Sequence, residues 1–322
     1  MFAIETEGLT KDFSIGFWRA RPYRALNRLT LAIERGETFG FLGPNGAGKT
    51  TTLKLLMQLI YPTSGRAEIL GRPAGDVGVK RRIGYLPESP YFYDYLTAEE
   101  LLTYFASLLG YHHAERRRRV SALLDEVGIG GERRLQLRKF SKGMLQRVGI
   151  AQAILNDPEV VFLDEPMSGL DPLGRREVRN LILKLRDRGC TVFFSSHVLA
   201  DAEALCSRVG ILAGGELVAT GRVSDIHAFQ VHGWELVVGN LSAELLAQHR
   251  HRTQRVTPIA HDQYALDLPL EPEPTVLLRD LVAGGAHLMS LNPLRETLED
   301  FFIRQVAQQP RSRMDGPSKE AG

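Results

Sequence analysis

The stretch Gly43-Pro-Asn-Gly-Ala-Gly-Lys-Thr50 lies between the apolar run TFGFL (38–42) and the helical run TTLKLLMQLI (51–60). It fits G-x-x-x-x-G-K-[ST], a four-position pattern that arises by chance in roughly one per cent of chains this long. Glycines at these spacings let the backbone curl until successive N–H groups converge on phosphate oxygens, and the helix that follows adds its positive end. The phosphate-binding candidates are therefore Gly43, Pro44, Asn45, Gly46, Ala47, Gly48, Lys49, Thr50 and Thr51. Lys49 is placed to reach the β- and γ-phosphates, and the Thr50 hydroxyl to ligate Mg2+.

Working outward, Val160-Val-Phe-Leu-Asp164-Glu165 is an apolar strand ending in two carboxylates. A carboxylate at the C-terminal end of a parallel strand sits where ligands bind. Asp164 becomes the candidate that holds Mg2+, and Glu165 the one that polarises an attacking water. Further short β-branched and aromatic runs at 67–70, 83–86 and 191–194 alternate with helical-period segments, the pattern of βαβ units around a largely parallel sheet. Thr97 and Glu100 form a capping box before one helix, and Gly110 and Gly128 punctuate two helix ends.

Composition sets the bounds. The 322 residues are about two domains' worth, and 43% hydrophobic with 24% charged is ordinary for a folded chain. Forty basic against 38 acidic residues leave +2, which makes no electrostatic case for nucleic-acid binding. Arg116 to Arg119 fall on consecutive helical positions, point all round the helix, and read as solvated surface. No apolar stretch is long enough to span a membrane and the start lacks a secretory pattern, so a cytoplasmic chain is expected, with Cys190 and Cys206 as buried thiols. Near Val231 the texture changes. We read a main domain at 1–228, a small α+β accessory domain at 229–309 and a polar tail at 310–322. The accessory domain is expected to end in a helix with Asn292 as N-cap and Pro293 in its first turn.

Phe140-Ser-Lys-Gly-Met-Leu-Gln-Arg147 is similar to the LSGGQ-x-QR signature of the nucleotide-binding subunits of ABC transporters. Ser168-Gly-Leu-Asp171 resembles the D-loop of that family, His197 its switch histidine, and Ile83-Gly-Tyr-Leu-Pro87 its Q-loop, with the preceding motifs in family order over about residues 2–225. The resemblance implies an α/β fold: a P-loop NTPase ABC-type ATPase domain with a mostly parallel sheet core, an antiparallel β subdomain and a helical signature subdomain. It implies ATP and Mg2+ as ligands, Glu165 and His197 as catalytic residues, and Glu88, which stands where many members have Gln, as a metal ligand. Ser141 is a good N-cap, so its helix start is a second anion site. The resemblance adds that Ser141, Lys142, Gly143, Met144 and Asp171 close on a nucleotide held by another subunit, although Lys142 and Met144 depart from the Gly and Gln of the consensus.

One phosphate loop and one signature per chain lead us to expect a head-to-tail homodimer. The resemblance, in a chain with no apparent membrane span, implies an integral membrane permease subunit as partner and a peripheral place at the inner face of the membrane, while the charge balance predicts no nucleic-acid partner. The form GYLPE and the segment LEDFF (298–302) resemble the ABC-2 exporter branch. Tyr91, Phe92, Tyr93 and Tyr95 lie in the region that receives the coupling helix in the family. Phe13 aligns with the aromatic that stacks on the base, and Tyr23 is the alternative across the inserted stretch 14–24. The rival reading is a soluble ABC ATPase acting on nucleic acid or ribosomes. Relatives of that kind carry paired nucleotide-binding halves or coiled-coil insertions, which this chain lacks. A ligand-sensing role for the accessory domain is compatible with the transport reading.

Overall fold

A computed structural model describes residues 1–15, 21–223 and 231–295. They fall into two compact units, one spanning Met1–Val223 and the other lying between 224 and 308. The boundary read at 228, the LEDFF segment, the 310–322 tail and Phe17, Trp18 and Arg19 lie outside the described residues.

The first unit is built on two sheets. Strands β1 (Phe2–Ile15) and β2 (Arg21–Glu34) form a long antiparallel pair extended by β4 (Ser64–Ile69) and β5 (Arg72–Pro73) in the order β2-β1-β4-β5. Ser14 and Arg21 to Arg24 are thus strand residues. A six-stranded sheet runs β10 (Glu216–Arg222), β9 (Arg208–Ala213), β3 (Thr38–Leu42), β8 (Thr191–Ser196), β7 (Val160–Leu163) and β6 (Ile83–Leu86). All its neighbours are parallel except the β9–β10 edge pair. Strands β3, β7 and β8 are buried at every position, as parallel strands covered on both faces must be, and so read as largely apolar runs, with hydroxyls at Thr38, Thr191, Ser195 and Ser196. Phe39, Phe41, Phe162, Phe193 and Phe194 are fully buried there; each such side chain contributes about 1.5–3 kcal/mol by leaving water.

Helices α1 (Lys49–Leu56), α2 (Val77–Lys80), α3 (Ala98–Leu108), α4 (His113–Glu126), α5 (Lys142–Ala153), α6 (Pro172–Asp187) and α7 (Leu199–Leu205) complete the unit. The Thr97–Glu100 capping box opens α3, and Gly128 at φ 68 follows α4. In α6, buried Val178, Leu181, Ile182 and Leu185 recur at helical spacing, so one stripe faces the core. Arg119 of the arginine run stacks over the Tyr111 ring at 4.6 Å and bonds Asp157 at 2.5 Å, which ties it into the fold. Both cysteines are free; burial pushes the Cys190 thiol up to about 12 and raises that of Cys206 as well.

The second unit is a βαββαβ arrangement: β11 (Val231–Gly239), α8 (Ala243–His249), β12 (Arg255–Ala260), β13 (Gln263–Pro269), α9 (Pro274–Ala283) and β14 (His287–Arg295). Its antiparallel sheet has the order β12-β13-β11-β14, and Leu236, Val238, Leu266, Leu268, Leu277 and Leu281 make its core. Asn292 and Pro293 do not start a helix; they extend β14 and pair with Glu235 and Trp234 of β11. Burial of Leu291 opposite Leu236 outweighs the local capping signal, and proline is tolerated because β14 is an edge strand.

Candidate functional site

Because β3, β8, β7 and β6 are parallel neighbours, the loops at their C-terminal ends emerge side by side. Those loops carry Gly43 to Gly48, His197, Asp164 with Glu165, and Glu88. This is the crevice at which open α/β sheets bind ligands. A cavity of about 400 Å³ is lined here by Phe13, Tyr23, Ala25, Pro44, Asn45, Gly46, Gly48, Lys49, Thr50, Thr51, Glu88 and Glu165.

The phosphate loop is held by Gly43 N–H donating to Ser196 O at 3.2 Å and Gly215 N–H to Ala47 O at 3.0 Å. Gly48 stands at φ 107, and a Cβ there would lie 2.5 Å from Ala25 O, so both conformation and space demand glycine. The first-turn amides of Lys49, Thr50 and Thr51 have no backbone acceptor among the described residues and open toward the cavity end of α1. Lys49 Nζ donates to Gly43 O at 2.7 Å and Pro44 O at 3.2 Å, and faces Glu165 Oε1 at 3.2 Å.

Two buried acids stand together at the end of β7, beside Ser195 of the neighbouring β8. Ser195 Oγ donates to Asp164 Oδ1 at 2.6 Å and accepts from Glu165 N–H at 2.9 Å; Thr50 Oγ1 donates to the same Asp164 oxygen at 3.2 Å. Burial raises the Asp164 carboxyl above the usual carboxylate range; the Ser195 and Thr50 hydrogen bonds oppose that rise, Glu165 adds to it and Lys49 opposes it. Burial, with the Asp164 charge beside it, pushes Tyr85 up to about 12. Glu165 sits at φ 48, a left-handed conformation unfavourable for a side-chain-bearing residue and of the kind that persists where surrounding bonds enforce it. Its Oε2 meets His197 Nδ1 at 2.8 Å, while Oε1 is buried with no hydrogen-bond partner and only the Lys49 ammonium nearby.

The donor set fits a hydrated divalent cation and a polyphosphate. The Thr50 hydroxyl and Asp164 carboxylate are hard oxygen ligands in direct contact. Glu165 Oε1, buried beside the Lys49 ammonium without a hydrogen bond, has capacity to accept one from a further polar group. Phe13 and Tyr23 are directly opposed across β1 and β2, so both alternatives for the base platform face the same cavity. Lys11 Nζ lies over the Phe13 ring, 5.1 Å from its centroid.

Ser141, Lys142, Gly143, Met144 and Asp171 do not line that cavity. Ser141 caps α5 by accepting from Met144 N–H at 3.3 Å, and Asp171 caps α6 by accepting from Gly174 N–H at 2.8 Å. These helix starts adjoin each other: a Cβ on Gly143 would lie 3.9 Å from Leu170, and one on Gly169 would collide with Lys142 Nζ. The sequence reading missed Ser195. Its only signal was a hydroxyl inside the apolar run TVFFSS.

Residues 26–168 match the family described as ABC transporter. The chain is 47% identical to an ABC transporter ATP-binding protein of Synechocystis over 94% of its length and 84% of the relative's. It is 33% identical to the bacitracin transport ATP-binding protein BcrA of Enterococcus faecalis over 95% of this chain and 96% of that one. A solved ATP-binding cassette, dimeric in a post-hydrolysis state with ADP and Pi, shares the fold at a TM-score of 0.62 and 26% identity, covering 68% of this chain and 98% of that one. With an open phosphate loop facing two buried carboxylates, the chain belongs to the ATP-binding subunits of ABC transporters and is an ATPase of that family.

Proposed function

We propose that this subunit binds Mg-ATP in the cavity between α1 and the β1–β2 pair, closes head to tail with a second copy, and drives export through a separate membrane permease. The observation that carries the reading is the Lys49–Glu165–His197 chain beside the Thr50–Asp164 pair. The free amides of α1 and Lys49 would hold the β- and γ-phosphates, and Phe13 would stack on the base with Tyr23 beside it. Thr50, Asp164 and Glu88 would hold Mg2+, which when bound supplies neutralisation of phosphate charge. Glu165 would accept a proton from the water that attacks the γ-phosphorus as the bond to ADP breaks, and His197 holds the carboxylate in place.

Ser141, Lys142, Gly143 and Met144, with Asp171 adjoining, present a capped helix start away from their own cavity, which suits contact with the partner's γ-phosphate. The dimeric state of the solved cassette supports this arrangement. Among the described residues no helix is long and apolar enough to cross a membrane, and in the proposed assembly the transport path lies in a separate spanning subunit. Tyr91 is 99% exposed, and Tyr93 and Tyr95 are exposed beside it, with Tyr93 in ring contact with Tyr95 and Tyr104. Phe92 turns inward toward Gly149. Such an exposed tyrosine cluster suits a permease contact. The bacitracin transport name of one relative supports a transport role, and in the proposed assembly the subunit would sit at the inner face of the membrane.

The test is Glu165→Gln, which should bind Mg-ATP, fail to turn it over, and accumulate as an ATP-dependent dimer measured by size. A strictly monomeric protein with ATP shown to be bound would refute the composite site. Tyr91→Ala with Tyr93→Ala should leave that dimer intact while abolishing co-purification with the permease.

A further inference from the structure

Asp201 is a carboxylate that the catalytic description leaves unused. It sits in the first turn of α7, four residues beyond His197, with its side chain only 3% exposed. Two cations reach it from another element: Arg175 Nη1 is 3.8 Å from Oδ2 and Arg179 Nη2 is 3.6 Å from Oδ1. Both arginines belong to α6, the helix whose N-cap is Asp171, and they lie one and two turns along it. The Nε of Arg179 is buried without a hydrogen-bond partner, so this guanidinium is committed to the site at a desolvation cost. Burial raises the Asp201 carboxyl, Arg175 and Arg179 oppose that, and Glu165 adds to it, so the group lies within electrostatic reach of the catalytic carboxylate.

A stabilising role alone explains this poorly. Buried ion pairs contribute little net stability once desolvation is counted, and apolar residues of like volume often serve as well. What the triad does supply is a joint between the helix that starts two residues after His197 and the helix that follows the loop leaving Glu165. Helix α6 starts at the 168–171 loop, next to the Ser141 helix start, and α7 starts two residues after His197. We infer that Asp201 is a positioning residue: clasped by Arg175 and Arg179, it locks α7 to α6 so that the seating of the 168–171 loop sets the His197–Glu165 hydrogen bond. The inference rests on the proposed roles of Glu165 and His197.

The experiment compares full-length Asp201→Asn, Asp201→Glu, the pair Arg175→Gln with Arg179→Gln, and the triple variant combining that pair with Asp201→Asn. Asparagine keeps shape and removes the buried charge, whereas the arginine pair alone leaves Asp201 buried without a counter-charge, so thermal melts accompany every variant and the triple variant, with no charge left in the clasp, is the folded control. Asp201→Asn should lower kcat for Mg-ATP roughly ten-fold, as small misplacements of a reacting group do, while KM stays within about two-fold. The arginine pair should match that loss, the triple variant should add nothing to it, and Asp201→Glu should recover most of the rate. Nitrogen chemical shifts of the His197 ring should move in Asp201→Asn and return in Asp201→Glu. Wild-type kcat in Asp201→Asn, or a loss that the arginine pair does not reproduce, overturns the inference. Glu165→Gln and His197→Ala run alongside separate the two levels: if those variants keep hydrolysis, the assignment of the site has failed; if they lose it and Asp201→Asn does not, the joint alone has.

Discussion

Ser195→Ala tests the centre of the site. The hydroxyl is fully buried and bridges both acids, at 2.6 Å to Asp164 and 2.9 Å from the Glu165 N–H. Alanine removes a hydrogen bond to a charged acceptor, worth about 1.5–3 kcal/mol, and leaves the Glu165 amide buried without an acceptor, at about 1–3 kcal/mol. Taking about 3 kcal/mol for the sum, with partial relaxation, the protection of β7 and β8 amides against hydrogen exchange should fall by roughly two decades. Exchange read by mass spectrometry on those strands reports on the first unit alone. The same loss frees Glu165 from its left-handed conformation, so kcat should fall roughly a hundred-fold with a smaller change in KM. Asp164, already raised by burial, loses one of the two hydrogen bonds that hold it down, so the acid limb of the kcat–pH profile should move to higher pH. Protection within about half a decade of wild type together with kcat within about three-fold would refute the reasoning.

Asp164→Asn should abolish ATPase activity yet stabilise the nucleotide-free protein at pH 7 to 8. The folded-state carboxyl is raised, so its ionisation costs stability as pH rises through the folded pKa, and the advantage of asparagine should vanish once pH falls below the ordinary carboxylate range; thermal melts across pH check this, and a less stable Asn variant at pH 7.5 counts against it. Phe13→Ala should weaken ATP binding about ten-fold, from the roughly 1–3 kcal/mol that a stacked base contributes, with Tyr23→Ala weaker in effect. Inorganic triphosphate binding, measured by calorimetry, should not change in either variant, and equal losses for ATP and triphosphate would show that no base is stacked.

Much of this molecule is legible in its residues taken in order. The phosphate loop, the acids after β7, the Ser141 cap and the parallel strands each depend on spacing over a few positions, where backbone conformation and hydrogen bonding are local. Asn292 and Pro293 show the limit of that locality, since their helix-start signal is sound but the pairing of β14 with β11 overrides it. What the chain by itself determined is which chemistry is present: a glycine-rich phosphate-loop motif, two carboxylates, a histidine and a capped helix start. Only the tertiary structure decided the partners. The order β3-β8-β7 brings Ser195 between Asp164 and Glu165, the β1–β2 register sets Phe13 opposite Tyr23, and the packing of α6 on α7 encloses Asp201. Those contacts join residues far apart in the chain, and their geometry depends on sheet order, strand register and burial, which the whole fold sets together.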